Sequence, residues 1–125
     1  TSDPPFPEPG TVLEMLASID RLLAEGTSIE WAIEVKNSHQ LIGTCGLHSF
    51  EPSSASAEVG CVLGCDFWGN GYMQEALVAL FEYAKQNMRL TLLKANIDAP
   101  NLRSIRLFEK LGFNYASNNI FEAIL

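Results

Sequence analysis

The segment of residues 57–111 constrains the fold more than any other part of the chain, because its pattern alternates between strand and helix. It predicts a strand over residues 57–64, a glycine-rich turn, a helix over residues 71–88, a strand over residues 91–97 and a helix over residues 101–111. A strand, a helix and a second strand in this order almost always form a right-handed crossover. The two strands are therefore expected to be parallel, with the first helix crossing between them.

The residues on either side of this segment predict further strands and one more helix. A capping box, apolar residues at helical spacing and a final glycine predict a helix over residues 11–25. Strict alternation predicts a strand over residues 29–35. The turn cluster at residues 37–40 predicts that a second strand over residues 41–50 joins it as an antiparallel hairpin. Two short strands are predicted over residues 113–116 and 120–125. The predicted order is αβββαβαββ.

Length and composition predict a single globular domain. The chain has 125 residues, of which 47% are hydrophobic and 18% are charged. Its formal net charge of −7 argues against a protein whose main partner is a nucleic acid, because binding to phosphates requires clustered Lys and Arg. The three cysteines lie in apolar runs without metal-ligand spacing, so they are interpreted as small buried side chains in a reducing compartment. With no long apolar run or targeting motif, a soluble cytoplasmic protein is expected.

The excess of acidic residues is confined to the first half of the chain. Residues 1–62 contain nine acidic and two basic residues, whereas residues 63–125 contain six of each. Between Lys36 and Lys85 there is no Lys or Arg. An anion bound in that stretch would have to be held by backbone N–H groups and the positive end of a helix.

A glycine-rich turn, Trp68-Gly69-Asn70-Gly71-Tyr72-Met73, opens the long predicted helix. Small residues let the backbone turn tightly and present consecutive N–H donors, which makes an anion site without a cationic side chain. A dinucleotide fingerprint would require a third glycine at Gln74, and a Walker A loop would require a following Lys. A plain turn into a helix is the alternative interpretation.

The turn resembles the phosphate-binding loop of the GNAT superfamily of acyl-coenzyme A N-acyltransferases, Gln/Arg-x-x-Gly-x-Gly/Ala. Trp68 and Met73 depart from its first and last positions. Residues 101–113 are similar to the block Asn-x-x-Ser-Ile-Arg-x-x-Glu-Lys-Leu-Gly-Phe of the ribosomal-protein-alanine N-acetyltransferases, the RimJ/RimL-like type. With shorter upstream matches, the resemblance covers residues 31–113. It implies an α+β fold in which a mostly antiparallel sheet, flanked by helices, contains one splayed parallel strand pair.

The resemblance also bears on the extent of the domain. The family places a further strand and helix before the region of Pro9, and its final hairpin is longer than residues 113–125 allow. Residues 1–125 are therefore expected to be one GNAT acetyltransferase domain that is incomplete at its N-terminus and shortened in its final hairpin.

The resemblance implies that acetyl-CoA binds as the acyl donor and that no metal is needed. The strand before the turn would pair its backbone with the pantetheine arm, and the turn amides would hold the pyrophosphate. Asn101 resembles the family residue that contacts the pantetheine arm, although it could also be, or only be, a helix N-cap. The residues implied to contact the donor are Cys61, Val62, Leu63, Trp68, Gly69, Asn70, Gly71, Tyr72, Met73, Asn101, Ser104 and Phe108. Outer partners of the nucleotide would be Arg103, Arg106 and Lys110.

Acyl transfer to an amine requires a base for the ammonium and an acid for the departing thiolate. The resemblance points to Glu58 as the base; the alternatives are an exposed strand carboxylate or an anchor for the substrate ammonium. His48 is a weaker candidate for the base. Many members of the superfamily use a Tyr acid where this chain has Phe108, so Ser104, on the same helix face, is the nearby hydroxyl that could act as acid or contact the donor.

The sequence leaves two functions open, besides a structural domain that does not bind coenzyme A. The first is an acetyl-CoA-dependent N-acetyltransferase that acts by direct transfer in a ternary complex on a protein N-terminus or a small-molecule amine. The acidic first half fits a cationic acceptor. The second is a coenzyme A binding module without turnover, suggested by Phe108 at the position of the usual acid. Neither a nucleic acid nor a membrane is expected as a partner, and the protein is expected to be a monomer or a homodimer.

Overall fold

The computed structural model describes residues 12–17, 28–36 and 38–125, and these form one mixed α/β structure. The strands of the described part are β1 (Val12–Ala17), β2 (Ser28–Val35), β3 (Gln40–Glu51), β4 (Ser56–Leu63), β5 (Leu92–Asn96), β6 (Asn114–Ser117) and β7 (Ile120–Ile124). The α-helices of the same residues are α1 (Tyr72–Gln86) and α2 (Leu102–Lys110). Short 3₁₀ turns cover Pro52–Ser54 and Cys65–Phe67. Neither α-helix is long and apolar enough to cross a membrane.

The strands form a single seven-stranded sheet in the order β1-β2-β3-β4-β5-β7-β6. Only β4 and β5 pair in parallel; the other neighbours are antiparallel. The α1 helix connects the two parallel strands along the chain. The predicted fold class, a mostly antiparallel sheet with one parallel pair flanked by helices, is confirmed. From β2 onward, every predicted element is present, with bounds within two residues of those predicted.

The prediction of a helix over residues 11–25 is wrong for residues 12–17. Residues 12–17 form β1, which pairs antiparallel with β2 from Val12 opposite Val35 to Ala17 opposite Trp31. The remaining residues of the predicted helix lie outside the described ranges. Helix propensity is a weak preference, and the outer edge of β2 offers a full row of backbone donors and acceptors that a strand satisfies. Pairing with β2 therefore outweighed the preference of the local sequence for a helix.

The hydrophobic core lies between one face of the sheet and the two helices. Alternate residues of the central strands are buried on this face, including Ile33, Cys45, Leu47, Val59, Leu93 and Ala95. Helix α1 contributes Leu77, Leu80 and Ala84, which are fully buried. Phe113 joins the helices, because its ring lies 5.5 Å from that of Phe81 on α1 and 5.0 Å from that of Phe108 on α2. This packing holds α1 and α2 together.

Candidate active site

The parallel strands β4 and β5 are paired at one end and separate at the other. Their register contains three pairs, Ser56 with Leu92, Ala57 with Leu93 and Glu58 with Lys94. Beyond Glu58, β4 continues to Leu63 while keeping its pairing with β3 on the other side. The β4 edge that faces β5 is therefore left without a strand partner after Glu58. A ligand with its own amide groups can pair with such an edge.

The turn after β4 is shaped by two glycines with left-handed backbone conformations. Gly69 has φ 83° and Gly71 has φ 78°. Residues with a Cβ atom disfavour these values, whereas Gly adopts them readily. Gly71 precedes α1, and the first helical hydrogen bond runs from the Glu75 N–H to the Gly71 carbonyl at 3.0 Å. Gly71, the N-cap residue, has no side chain that could cap this helix end. The N–H groups that precede Glu75 in the first turn are thus available to an anion at the positive end of the helix dipole.

Trp68 connects the end of β4 to helix α2. Its indole Nε1–H donates a hydrogen bond to the Leu63 carbonyl at 3.0 Å. The guanidinium carbon of Arg103, on α2, lies 4.6 Å from the centre of the Trp68 ring, which is cation–π distance. The Asn70 side-chain amide donates to the carbonyls of Phe67 and Trp68, at 3.3 and 3.4 Å, and so holds the turn in shape.

Three residues of α2 and its N-cap, Asn101, Ser104 and Phe108, were predicted to face the acyl donor. Two of them lie at the start of the helix. The Asn101 side-chain oxygen accepts a hydrogen bond from the Ser104 N–H at 3.2 Å, so Asn101 is the helix N-cap. Ser104 is half-buried one turn later. Phe108 is only 3% exposed and packs edge-to-face against Phe113 at an interplanar angle of 85°. The Phe108 ring is thus part of the core, one turn beyond Ser104 and two turns beyond Asn101.

His48 and Glu58 lie together at the point where the parallel strands separate. The two residues are direct partners on β3 and β4, so their side chains leave the same face of the sheet. The His48 Nδ1 atom is hydrogen-bonded to the Ser49 hydroxyl at 2.9 Å. Ser49 has φ 54° and lies at an irregularity of the β3–β4 register. Such bulges redirect side chains next to active sites.

The space beside this pair is open because β4 has a glycine there. Among the described residues, a Cβ atom at Gly60 would meet only the His48 ring, at 3.8 Å from its Cδ2 and Nε2 atoms. The facing residue Gly46 is closed: a Cβ there would meet the Ile29 carbonyl and lie 3.0 Å from the Glu30 Cα. The open side of Gly60 therefore gives a small group access to Glu58 along the unpaired β4 edge.

A polar row crosses the sheet through this point. Register places six residues side by side on six strands, and they are Ser28, His48, Glu58, Lys94, Glu122 and Asn114. We call these residues the polar row. Sequence reasoning singled out Glu58 and His48 but missed Lys94 and Glu122. The signal available was weak, since Lys94 interrupts an apolar strand between Leu93 and Ala95.

Residues 3–114 match the family model of the acetyltransferase (GNAT) domain. The chain belongs to this family. It is 32% identical over 109 residues, or 87% of the chain, to a Bacillus licheniformis protein described as the uncharacterized N-acetyltransferase p20, of which it covers 61%. It is 30% identical over 81% of the chain to the uncharacterized N-acetyltransferase YoaA of Bacillus subtilis, of which it covers 57%. The chain thus spans about three fifths of these two relatives.

Solved structures support the same fold. A mutant of the spermidine N-acetyltransferase SpeG from Vibrio cholerae superimposes with a TM-score of 0.73 over 81% of this chain and 68% of that chain. The sequence identity is 15%. At this identity the likeness concerns the GNAT fold alone.

The cysteines of this GNAT domain differ in their surroundings. Cys45 and Cys61 are direct partners on β3 and β4 on the core side of the sheet. Burial raises the pKa of Cys45 to about 12, with smaller contributions from Cys61 and Glu30, and burial raises the pKa of Cys61 to about 11. Both groups are therefore thiols at neutral pH, and neither is an activated nucleophile. Cys61 is half-buried and Cys65 is exposed, so the prediction that all three cysteines are buried is confirmed for Cys45 alone.

Two buried polar groups of α1 were also missed by sequence reasoning. Gln74 is 5% exposed, and its side-chain oxygen has no hydrogen-bond partner among the described residues. The Glu75 Oε1 atom is also buried without a hydrogen-bond partner among the described residues. Desolvation raises the pKa of the Glu75 carboxyl. Both side chains leave the first helical turn, next to the glycine-rich turn. Within the described ranges, no group of His, Cys, Asp or Glu is arranged to hold a metal ion.

Proposed function

We propose that this GNAT domain binds acetyl-CoA as the acyl donor and transfers the acetyl group directly to a primary amine in a ternary complex. One observation carries the proposal: β4 and β5 separate after Glu58, and the gap leads to a turn with available N–H groups. The gap suits an arm that contains amides, and the turn suits a pyrophosphate. The two features suit the two chemically different parts of one ligand, coenzyme A.

In this proposal the donor lies along the unpaired edge of β4. The backbone of Cys61, Val62 and Leu63 pairs with the pantetheine arm, and one of these N–H groups polarises the thioester carbonyl, as preorganised donors do in oxyanion holes. The pyrophosphate accepts hydrogen bonds from the turn amides of residues 69–73. Asn101 and Ser104 approach the arm from α2, in addition to the capping bond that they already share.

Glu58 is proposed to accept the proton that the acceptor ammonium must lose. Its support is its position at the last paired residue of β4, next to the open space at Gly60. The amine nitrogen then forms a bond to the acyl carbon, the carbon–sulfur bond breaks, and the thiolate takes up a proton. Ser104 is the proposed donor of that proton or of a hydrogen bond to the sulfur. His48 is proposed to orient Glu58 rather than to act as the base.

The acceptor is proposed to be a protein N-terminus or a small-molecule amine, in line with the RimJ/RimL-like resemblance. A cationic acceptor fits the carboxylates of Glu58 and Glu122 in the polar row. It also fits the excess of acidic residues in the first half of the chain. A cytoplasmic location and a monomer or homodimer are part of the same proposal.

Release of the free thiol from acetyl-CoA tests the proposal directly. We expect release to depend on an amine, with at least one active acceptor among N-terminal peptides, polyamines and aminoglycosides. The product should gain one acetyl group by mass spectrometry. Absence of thiol release with every acceptor, from protein that binds coenzyme A, would argue against catalysis.

A coenzyme A binding module without turnover is the second candidate. The observation in its favour is that Phe108 replaces the usual acid and that its ring packs in the core. Calorimetry together with the thiol assay separates the two functions. Tight binding of coenzyme A, no thiol release and unchanged behaviour of Glu58→Gln would favour the module.

A further inference from the structure

The glycine-rich turn lacks a cationic side chain of its own. From Gly64 to Gln74 the chain contains no Lys or Arg, and Trp68 occupies the position where the superfamily pattern has Gln or Arg. Backbone amides alone bind phosphates, but a guanidinium adds a full positive charge and can donate two parallel N–H bonds to a phosphate. The nearest cation that contacts the turn comes from a different element, since Arg103 lies on α2.

The contact between Trp68 and Arg103 has a defined geometry. The Trp68 ring is held at one edge by its hydrogen bond to the Leu63 carbonyl, so the ring cannot rotate freely. Arg103 lies over the ring, with its guanidinium carbon 4.6 Å from the ring centre. Stacking uses the face of a guanidinium and leaves the N–H groups around its edge free to donate. Within the described part of the chain, no carboxylate forms an ion pair with Arg103.

We propose that Arg103, held on the Trp68 ring, donates hydrogen bonds to the diphosphate of the acyl donor, together with the amides of the adjacent turn. Trp68 is then a positioning residue and Arg103 a binding residue. The inference rests on the proposed function, because it assumes a donor that carries a diphosphate. The diphosphate is favoured over the 3′-phosphate because Trp68 directly precedes Gly69, the first residue of the amide cradle.

The alternative is a purely structural contact that ties α2 to the turn. The structural role and the phosphate-binding role differ in whether they need the positive charge of Arg103. A structural contact would affect folding stability and all ligands alike. A phosphate contact requires the positive charge and affects only ligands that carry the diphosphate.

The test measures binding of three ligands by calorimetry: coenzyme A, dephospho-coenzyme A and pantetheine. For Arg103→Gln we expect the affinity for both diphosphate ligands to fall by about ten- to a hundredfold, the range for hydrogen bonds to charged groups. The affinity for pantetheine should not change. Arg89→Gln is the matched control, because it removes the same charge just beyond the other end of α1. It should bind all three ligands as the unmodified protein does.

Variants of Trp68 test the positioning role. Trp68→Phe keeps an aromatic face but loses the bond to Leu63, whereas Trp68→Leu loses both contacts. We expect the loss of affinity for coenzyme A to be larger for Trp68→Leu, with partial recovery in Trp68→Phe. In the transfer assay, KM for acetyl-CoA should rise while kcat at saturation stays within about twofold, the pattern of lost uniform binding.

Each outcome has one meaning. If the unmodified protein does not bind coenzyme A, the proposed function fails. If it binds and Arg103→Gln binds equally well, only the role of Arg103 fails. A loss confined to coenzyme A, with dephospho-coenzyme A unaffected, would assign Arg103 to the 3′-phosphate and overturn the diphosphate contact. A loss that includes pantetheine, together with a lower melting temperature, would identify a structural contact.

Discussion

His48 and Glu58 face each other across β3 and β4, and Glu58 is also the last residue of β4 in register with β5. One carboxylate is thus flanked by an imidazole on one strand and by Lys94 on the other, at the point where the sheet opens. The open side of Gly60 lies next to the His48 ring, and Glu58 is the register partner of His48. The proposed base is thus placed where an incoming amine can approach it.

Glu58→Gln should lower kcat for acetyl transfer by about 10²- to 10⁴-fold, the usual contribution of a positioned general base. The amide keeps the size of the side chain, so binding of coenzyme A should be unchanged by calorimetry. Glu109→Gln, which removes an exposed carboxylate from α2, is the matched control. A kcat that stays within threefold of the unmodified value would remove Glu58 as the base.

His48→Asn should lower kcat by a smaller factor than Glu58→Gln. If His48 acts by orienting Glu58, the double variant should be no slower than Glu58→Gln alone, because residues that act on one step are not additive. Steady-state rates of the two single variants and the double variant measure this coupling. Independent, multiplicative losses would indicate that the two side chains act on different steps.

The facing glycines of β3 and β4 should respond differently to the same added methyl group. Gly46→Ala should lower the free energy of unfolding by about 1–3 kcal/mol, because the new Cβ meets backbone atoms of β2 that cannot move away. Gly60→Ala should change it by less than about 0.5 kcal/mol, since its nearest neighbour is the His48 ring. Urea titration of both variants measures the difference. Equal effects would contradict the proposed open space at Gly60.

The cysteines should differ in their reactivity with iodoacetamide. Only the thiolate reacts, and pKa values of about 12 for Cys45 and about 11 for Cys61 leave roughly one thiol in a thousand or fewer ionised at pH 8. We expect one rapid modification, at the exposed Cys65, followed by much slower ones. Mass spectrometry after timed quenching measures the order, and Cys65→Ser should abolish the rapid phase. Rapid labelling of Cys61 in the folded protein would contradict its burial.

Glu75 should make the fold less stable as the pH rises. Desolvation raises the pKa of its carboxyl above the ordinary value of 4.5, so the folded state favours the protonated form. This contribution to stability is complete below pH 4.5 and is lost as the pH rises through the raised pKa. Glu75→Gln should therefore have the higher melting temperature at pH 7, and the difference should vanish near pH 4. Melting curves recorded by circular dichroism over this range measure it; a difference independent of pH would contradict the shift.

Most strands and both helices were predictable because their signals are local. Alternation marks the buried face of β2 and of β4. The glycines at positions 69 and 71 have left-handed backbone conformations, which the turn requires. The handedness of crossovers predicts the parallel pair from the order of the elements alone. Asn101 carried two predicted roles, of which the N-cap is visible in its bond to the Ser104 N–H.

The wrong helix prediction and the site residues that were missed both depend on pairing between separate segments of the chain. The same apolar spacing that predicts a helix forms β1 because an edge of β2 was available to pair with it. Lys94 and Glu122 joined Glu58 only through the register of β5 and β7.

The sequence by itself determined most of the local elements and the family, and it predicted an anion site at the turn, because periodicity and glycine conformation act over a few residues. Only the tertiary structure decided which side chains surround Glu58 and which cation reaches the turn. Strand register and helix packing bring together groups that are tens of residues apart, as Trp68 and Arg103 are, and no local pattern specifies such a contact.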